Sequence, residues 1–200
     1  MNRRMLLSGG LALSGCSVLP SQTYQQRRDW PLSVVRAEAL PARRGGRVLL
    51  IRTVAAAPGL DARGVQWLLK DGSVNVDYYE QWAVPPAQAI EEGLRRWLTD
   101  AALFAAVVAP GSRVTHDLVL EAELITMRAD LGEAAAKVSL ALVLAEPKGD
   151  LTRIRLQRTE TAVVPLTGTD PPAIVAALRE AASAVLRQTE ASLKGAIAGK

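Results

Sequence analysis

DLVLEAELITM (residues 117–127), AKVSLALVLA (136–145) and TRIRLQRTETAVV (152–164) decide the fold. In the first stretch Leu118, Leu120, Ala122 and Leu124 fall on one face of an extended chain, and Glu121 and Glu123 fall on the other. In the second, Val138, Leu140, Leu142 and Leu144 alternate with Lys137, Ser139 and Ala141. The third alternates less cleanly, with Ile154 and Leu156 set against Arg153, Arg155 and Gln157. Strand side chains repeat every two residues, so the pattern describes a sheet with one covered and one wetter face. Asp130-Leu131-Gly132 and Pro147-Lys148-Gly149-Asp150 are short, turn-forming links. The three strands are therefore predicted to form an antiparallel meander.

Upstream, Arg47 to Ala55 is β-rich and nearly all apolar, which suits a central strand covered on both faces. Val65–Lys70 and Val74–Trp82 read as two more strands, joined through Asp71-Gly72, a turn pair that tolerates positive φ. Leu32 to Glu38 reads as a first short strand, and Phe104 to Val108 as another. Two helices complete the set. Pro85-Pro86 opens one, since proline at the first helical position has no amide to leave unpaired. Ile90, Leu94, Trp97, Leu98 and Ala101 form its apolar stripe, with Glu91/Arg95 and Glu92/Arg96 on the wet side. Asp170 caps the other, whose stripe is Ile174, Leu178, Ala181, Val185, Leu186, Leu193 and Ile197. The order strands, helix, strands, helix predicts a single α+β domain with two main helices packed on a mostly antiparallel sheet.

The N-terminus fixes the compartment. Arg3 and Arg4 precede the apolar run Met5 to Leu13, and Leu13-Ser14-Gly15-Cys16 follows. That is a basic region, a short apolar region and a small-residue cleavage site. A cysteine directly after the cut resembles the bacterial lipobox, in which the thiol is acylated. Residues 1–15 are thus expected to be a signal peptide, 16–45 a lipidated N-terminus and flexible tether, and 46–200 the domain. The apolar run is too short to span a bilayer, which takes about 20 residues. Several acyl chains make a durable anchor, each buried methylene contributing about 0.8 kcal/mol. By the sorting rule of enterobacterial lipoproteins, Ser17 in place of an aspartate favours the outer membrane, with the domain facing the periplasm. Cys16 is the only cysteine, so lipidation leaves none for a disulfide and stability rests on the core.

The charge balance excludes some functions. Lys and Arg number 24 against 20 acids, a net +4, and loss of Arg3 and Arg4 leaves +2. No basic cluster is interleaved with aromatics, so nucleic acid is not an expected partner. His116, the only histidine, stands beside Asp117, but neighbouring strand residues point to opposite faces and no Gly-x-Ser-x-Gly elbow is present. Glu121 and Glu123 share a face and read as solvated residues rather than paired catalytic carboxylates. One histidine and a lipidated cysteine make no metal site, and no phosphate-binding loop occurs. The chain reads as a non-enzyme without cofactor or metal. An exported lipid hydrolase is the enzyme reading to test, with His116 as its one candidate base.

The densest remaining feature is Tyr78-Tyr79-Glu80-Gln81-Trp82-Ala83-Val84-Pro85-Pro86. Tyr78 and Tyr79 are expected on opposite strand faces, so at least one is exposed or at an interface. Trp82 either fills the strand-to-helix corner or meets a partner. Tyr78, Tyr79, Trp82, Pro85 and Pro86 are therefore the candidate partner-binding residues. Gly59-Leu60-Asp61, Asp71-Gly72, this Tyr-Tyr-x-x-Trp-Ala-x-Pro-Pro block, Leu94 and Leu98, and Phe104-x-x-Val107 together resemble the ABC-type transport auxiliary lipoproteins. The resemblance covers most of residues 47–197, and 17–45 match weakly. Val84 stands where the family usually carries an acid. The resemblance implies an outer-membrane lipoprotein working with an inner-membrane ABC permease and ATPase and a periplasmic MCE-domain (mammalian cell entry) protein in intermembrane lipid transport, and it implies a possible homo-oligomer. The alternative is an assembly lipoprotein for an outer-membrane pore, of pilotin type or a lipopolysaccharide-assembly partner.

Overall fold

The computed structural model describes residues 24–42, 45–149 and 151–198. In chain order the elements are β1 (Arg28–Trp30), β2 (Val48–Ile51), β3 (Ala55–Ala56), β4 (Gly64–Leu68), β5 (Val74–Trp82), α1 (Pro86–Asp100), β6 (Ala106–Val108), β7 (Leu118–Asp130), β8 (Ala135–Lys148), β9 (Leu151–Pro165) and α2 (Pro171–Ala198). The fold is α+β, as the alternation predicts.

Strand β7 is the axis. Along one edge it pairs antiparallel with β8 from Val119↔Ala145 to Asp130↔Ala135, and β8 carries β9 on its far side. The other edge of β7 is shared by three short parallel strands in succession: β2 at Leu118, β3 at Glu123 and β4 at Ala129. Outside them, β6 lies parallel to β2, β5 is the antiparallel hairpin partner of β4, and β1 lies parallel to the last residues of β5. The long ladders are antiparallel, and each parallel pairing is only two or three residues long.

Both helices lie on one face. The inward residues of β7 and β8, including Leu120, Leu124, Leu140 and Leu144, are fully buried against Leu94 and Leu98 of α1 and Leu178, Val185 and Leu186 of α2. Burying one such side chain stabilises by about 1.5–3 kcal/mol. Asp170 caps α2, its Oδ1 accepting from Ala173 N at 2.8 Å, and Pro86 opens α1. Arg95 pairs with Glu91 at 3.6 Å and Glu92 at 2.9 Å on the wet side of α1.

The structure corrects several local expectations. The first strand is Arg28–Trp30, while Leu32 to Glu38 joins no ladder. Leu32 and Val34 are nevertheless buried in the core, so residues 28–34, which fall within the 16–45 span expected as tether, pack with the domain. The 47–55 run divides into β2 and β3: Arg52 N still bonds to Leu120 O, and pairing with β7 resumes at Ala55↔Glu123. Only Leu49 and Ile51 of β2 are fully buried, so the strand is covered on one face. The strand expected at 104–108 is confined to its last three residues.

Hairpin β4–β5 turns through Gly72, at φ +85°, as the Asp71-Gly72 pair predicts. Farther down, the register slips between Gly64↔Gln81 and Gln66↔Val76, so β5 carries extra residues around Asp77. Its Oδ1 accepts from the amides of both Tyr79 and Glu80, at 2.7 and 2.8 Å. Gly64 faces this bulge, and a Cβ there would sit 2.6 Å from Asp77 O. Only glycine fits.

Candidate functional site

The bulge divides the aromatic block. Tyr78 and Tyr79 come to the surface together, 66% and 37% exposed, their rings edge to face at 5.2 Å. The expectation of opposite faces fails at the bulge, where Asp77 Oδ1 holds the amides of Tyr79 and Glu80. Trp82 is 1% exposed and Pro86 is buried, while Pro85 is half-buried. Trp82 and Pro86 therefore belong to the core and offer no surface to a partner, and Trp82 fills the strand-to-helix corner.

Between the two halves sits Glu80, 3% exposed. Its Oε1 accepts from Arg28 Nε at 2.9 Å and also from the other arm of that guanidinium. Its Oε2 accepts from Trp30 Nε1 at 2.7 Å. A buried carboxylate needs such partners to offset its desolvation. Arg63 pairs with Asp29 and donates to Trp82 O at 2.7 Å. Arg179 of α2 donates to Pro31 O at 2.9 Å through Nε. The guanidinium carbons of Arg28 and Arg179 stand 5.5 and 6.0 Å from the Trp30 ring centre, within cation–π range. Together these contacts lock β1 onto β5 and α2.

A second carboxylate repeats the arrangement. Glu190 of α2 accepts from Arg36 Nε at 3.0 Å and Nη2 at 3.1 Å, and from Trp97 Nε1 at 2.7 Å. Burial pushes its carboxyl up, but the hydrogen bonds from Arg36 and Trp97 and the charges of Arg36 and Lys194 outweigh that and hold it below the usual glutamate range. The hydrogen bond to Glu190 likewise raises Arg36. An open groove of about 460 Å³ lies here, between Val35–Glu38 and the α2 residues Arg187, Glu190 and Lys194. Sequence reasoning missed both sites. Their only local sign is an acid inside an otherwise patterned element.

The catalytic candidates do not assemble. Asp117 Oδ2 accepts from Val48 N at 2.7 Å and so ties down the start of β2, while His116 stands half-buried at a separate shallow groove with Leu50, Arg52 and Val114. Glu121 pairs with Arg52 at 2.8 Å. Among the described residues no group of three or more His, Cys, Asp or Glu is placed to hold a metal ion, and no helix is long and apolar enough to cross a membrane. Cys16, Ser17 and the expected leader 1–15 lie outside the described residues.

The architecture has solved counterparts. Protein XCC0632 from Xanthomonas campestris is 24% identical, with TM-score 0.71 over 84% of this chain and 96% of its own. An uncharacterized protein gives 16% identity and TM-score 0.65, covering 86% and 99%. The hypothetical protein CT253 from Chlamydia trachomatis gives 10% identity and TM-score 0.53, covering 78% and 100%. At these identities the likeness speaks for the fold alone. No curated protein matches the chain significantly. The family model for the ABC-type transport auxiliary lipoprotein component matches residues 31–189. That span holds the Tyr-Trp-Pro-Pro block, both helix starts and the whole meander, and it begins at the buried segment around Leu32. The chain belongs to the family of ABC-type transport auxiliary lipoproteins.

Proposed function

We propose that this protein is a periplasm-facing lipoprotein of the outer membrane, held there by acylated Cys16. In this reading it is the non-catalytic docking component of an ABC transport system whose periplasmic partner carries MCE domains and which moves lipid between the two membranes. Membership of a transport auxiliary family, which is not a family of enzymes, is the observation that carries the reading. The division of labour within the chain supports it. The acid and histidine side chains that hydrolysis would need are dispersed or engaged in holding the sheet. The best-built polar contacts instead fasten the segment that follows the anchor. A pull on the N-terminus is thereby borne by the sheet and α2 rather than by a loose end.

Crosslinking in intact cells followed by purification of the anchored protein tests this. MCE, permease or ATPase components are expected among the products. Recovery of a secretin or another outer-membrane β-barrel in their place overturns the transport reading in favour of the assembly lipoprotein. Cys16→Ser tests the anchor separately: the variant is expected to lose its acyl mass and leave the outer-membrane fraction. The size of the detergent-extracted protein tests the homo-oligomer.

A further inference from the structure

The outer half of β5 carries an apolar face that no described residue buries. Val74 and Val76 alternate on the strand and so share a face, and both are exposed. Leu68 lies directly opposite Val74 and is only half-buried. Tyr78 and Tyr79, the next exposed side chains along β5, follow just past the bulge, and the Arg27 guanidinium stands 4.4 Å above the Tyr78 ring. Asp77, within the same strand, has its carboxylate engaged by the amides of Tyr79 and Glu80, and Asp71 at the turn by Ser73. Apolar branches, tyrosines with polar tips and a cation are the composition that settles at a bilayer's headgroup level.

The path of the chain names the occupant. Because β1 is parallel to β5 with Arg28 opposite Glu80, the residues before Arg28 run back along the outer half of β5, and the Arg27–Tyr78 contact records that direction. Tyr24, 87% exposed, is eight residues from Cys16, a span of roughly 28 Å at most. The β8–β9 turn is at the other end of the sheet, since β8 meets the start of β7 at Val119↔Ala145 while β4 meets its end at Leu68↔Asp130.

We infer that the face formed by Val74, Val76, Tyr78 and Tyr79, with Arg27, seats in the headgroup layer of the phospholipid membrane to which the N-terminus leads, and so fixes which end of the domain points away. This rests on the acylation of Cys16 proposed above. A protein partner on the same face is the competing outcome.

The test uses the full lipidated protein in vesicles of phosphatidylethanolamine and phosphatidylglycerol, first with no transporter present and then with an MCE protein added. Once Cys16 is acylated, Tyr78→Cys supplies the only free thiol, and Leu151→Cys supplies a control at the far end, where Leu151 is exposed. Each thiol is labelled with an environment-sensitive dye. The label at 78 is expected to be quenched by brominated lipid and to be severalfold less accessible to aqueous iodide than the label at 151. Equal iodide access in protein that floats with the vesicles overturns the membrane seat, and so does shielding that arises only when an MCE protein is added. Protein that fails to float at all refutes the anchor, and this inference with it, by a separate signal.

Discussion

Two carboxylates in this molecule do the same chemistry at different depths. Glu80 and Glu190 each hold one guanidinium and one indole N–H, and both partner arginines, Arg28 and Arg36, come from the segment after the tether. Glu80 lies inside a sheet, with its side chain 4% exposed, while that of Glu190 on α2 is 18% exposed. Their partners invert the order: the side chain of Arg28 is about half in water and that of Arg36 is mostly covered. The comparison teaches that the buried member of each pair dictates its cost. At Glu80 the acid must find donors or stay unpaired in the core, whereas at Glu190 water remains a partial substitute.

The comparison breaks first at the wall behind Glu80. Trp82→Ala removes a fully buried indole beside β1 and is expected to cost about 3–5 kcal/mol, read by denaturant unfolding. If stability holds while partner recovery falls, Trp82 belongs to an interface and not to the core. Glu80→Ala comes next, at about 2–3 kcal/mol, below the range for a fully enclosed pair because Arg28 regains water. Glu190→Ala is expected to cost about 1–2 kcal/mol. If it proves the dearer of the two, the depth argument fails. Double-mutant cycles of Arg28 with Glu80 and Arg36 with Glu190 give the two couplings directly.

Acidity sharpens the contrast. The folded-state pKa of Glu190 lies below its unfolded value, so the stability it contributes is complete above the ordinary glutamate range, near pH 4.3. That contribution is lost as pH falls through the lowered folded value. Melting curves below about pH 4 are expected to show wild type losing more than Glu190→Gln, since glutamine has no proton to gain. Equal slopes would remove Glu190 from the account. The smallest effect belongs to the surface: Tyr78→Ser is expected to change stability by no more than about 0.5 kcal/mol.

How much of this was legible depended on range. Period-two alternation marked β7, β8 and β9 because each strand buries one face along its own length. Proline and aspartate marked the helix starts because caps are local devices. The aromatic block was legible as a feature, but its division was not. Tyr78 and Trp82 are four residues apart and would share a face of a regular strand, yet across the bulge at Asp77, whose side chain bonds two amides, one is in water and the other in the core. Residues 28–30 fell with the tether by their polar neighbours, and Leu32 to Glu38 read as a strand of its own. Their burial depends on partners far along the chain: Glu80 is 52 residues from Arg28, and Glu190 is 154 from Arg36.

By itself the sequence determined the α+β class, the meander, both helices with their inward stripes, and the aromatic block by which the family is recognised. Each is written in the spacing of near neighbours, where backbone geometry alone links residue to face. Only the tertiary structure decided that three short parallel strands share one edge of β7, that Trp82 is core while Tyr78 is surface, and that two acids fasten the start of the domain. Those outcomes depend on which distant groups meet, and a carboxylate leaves water only where its donors already stand.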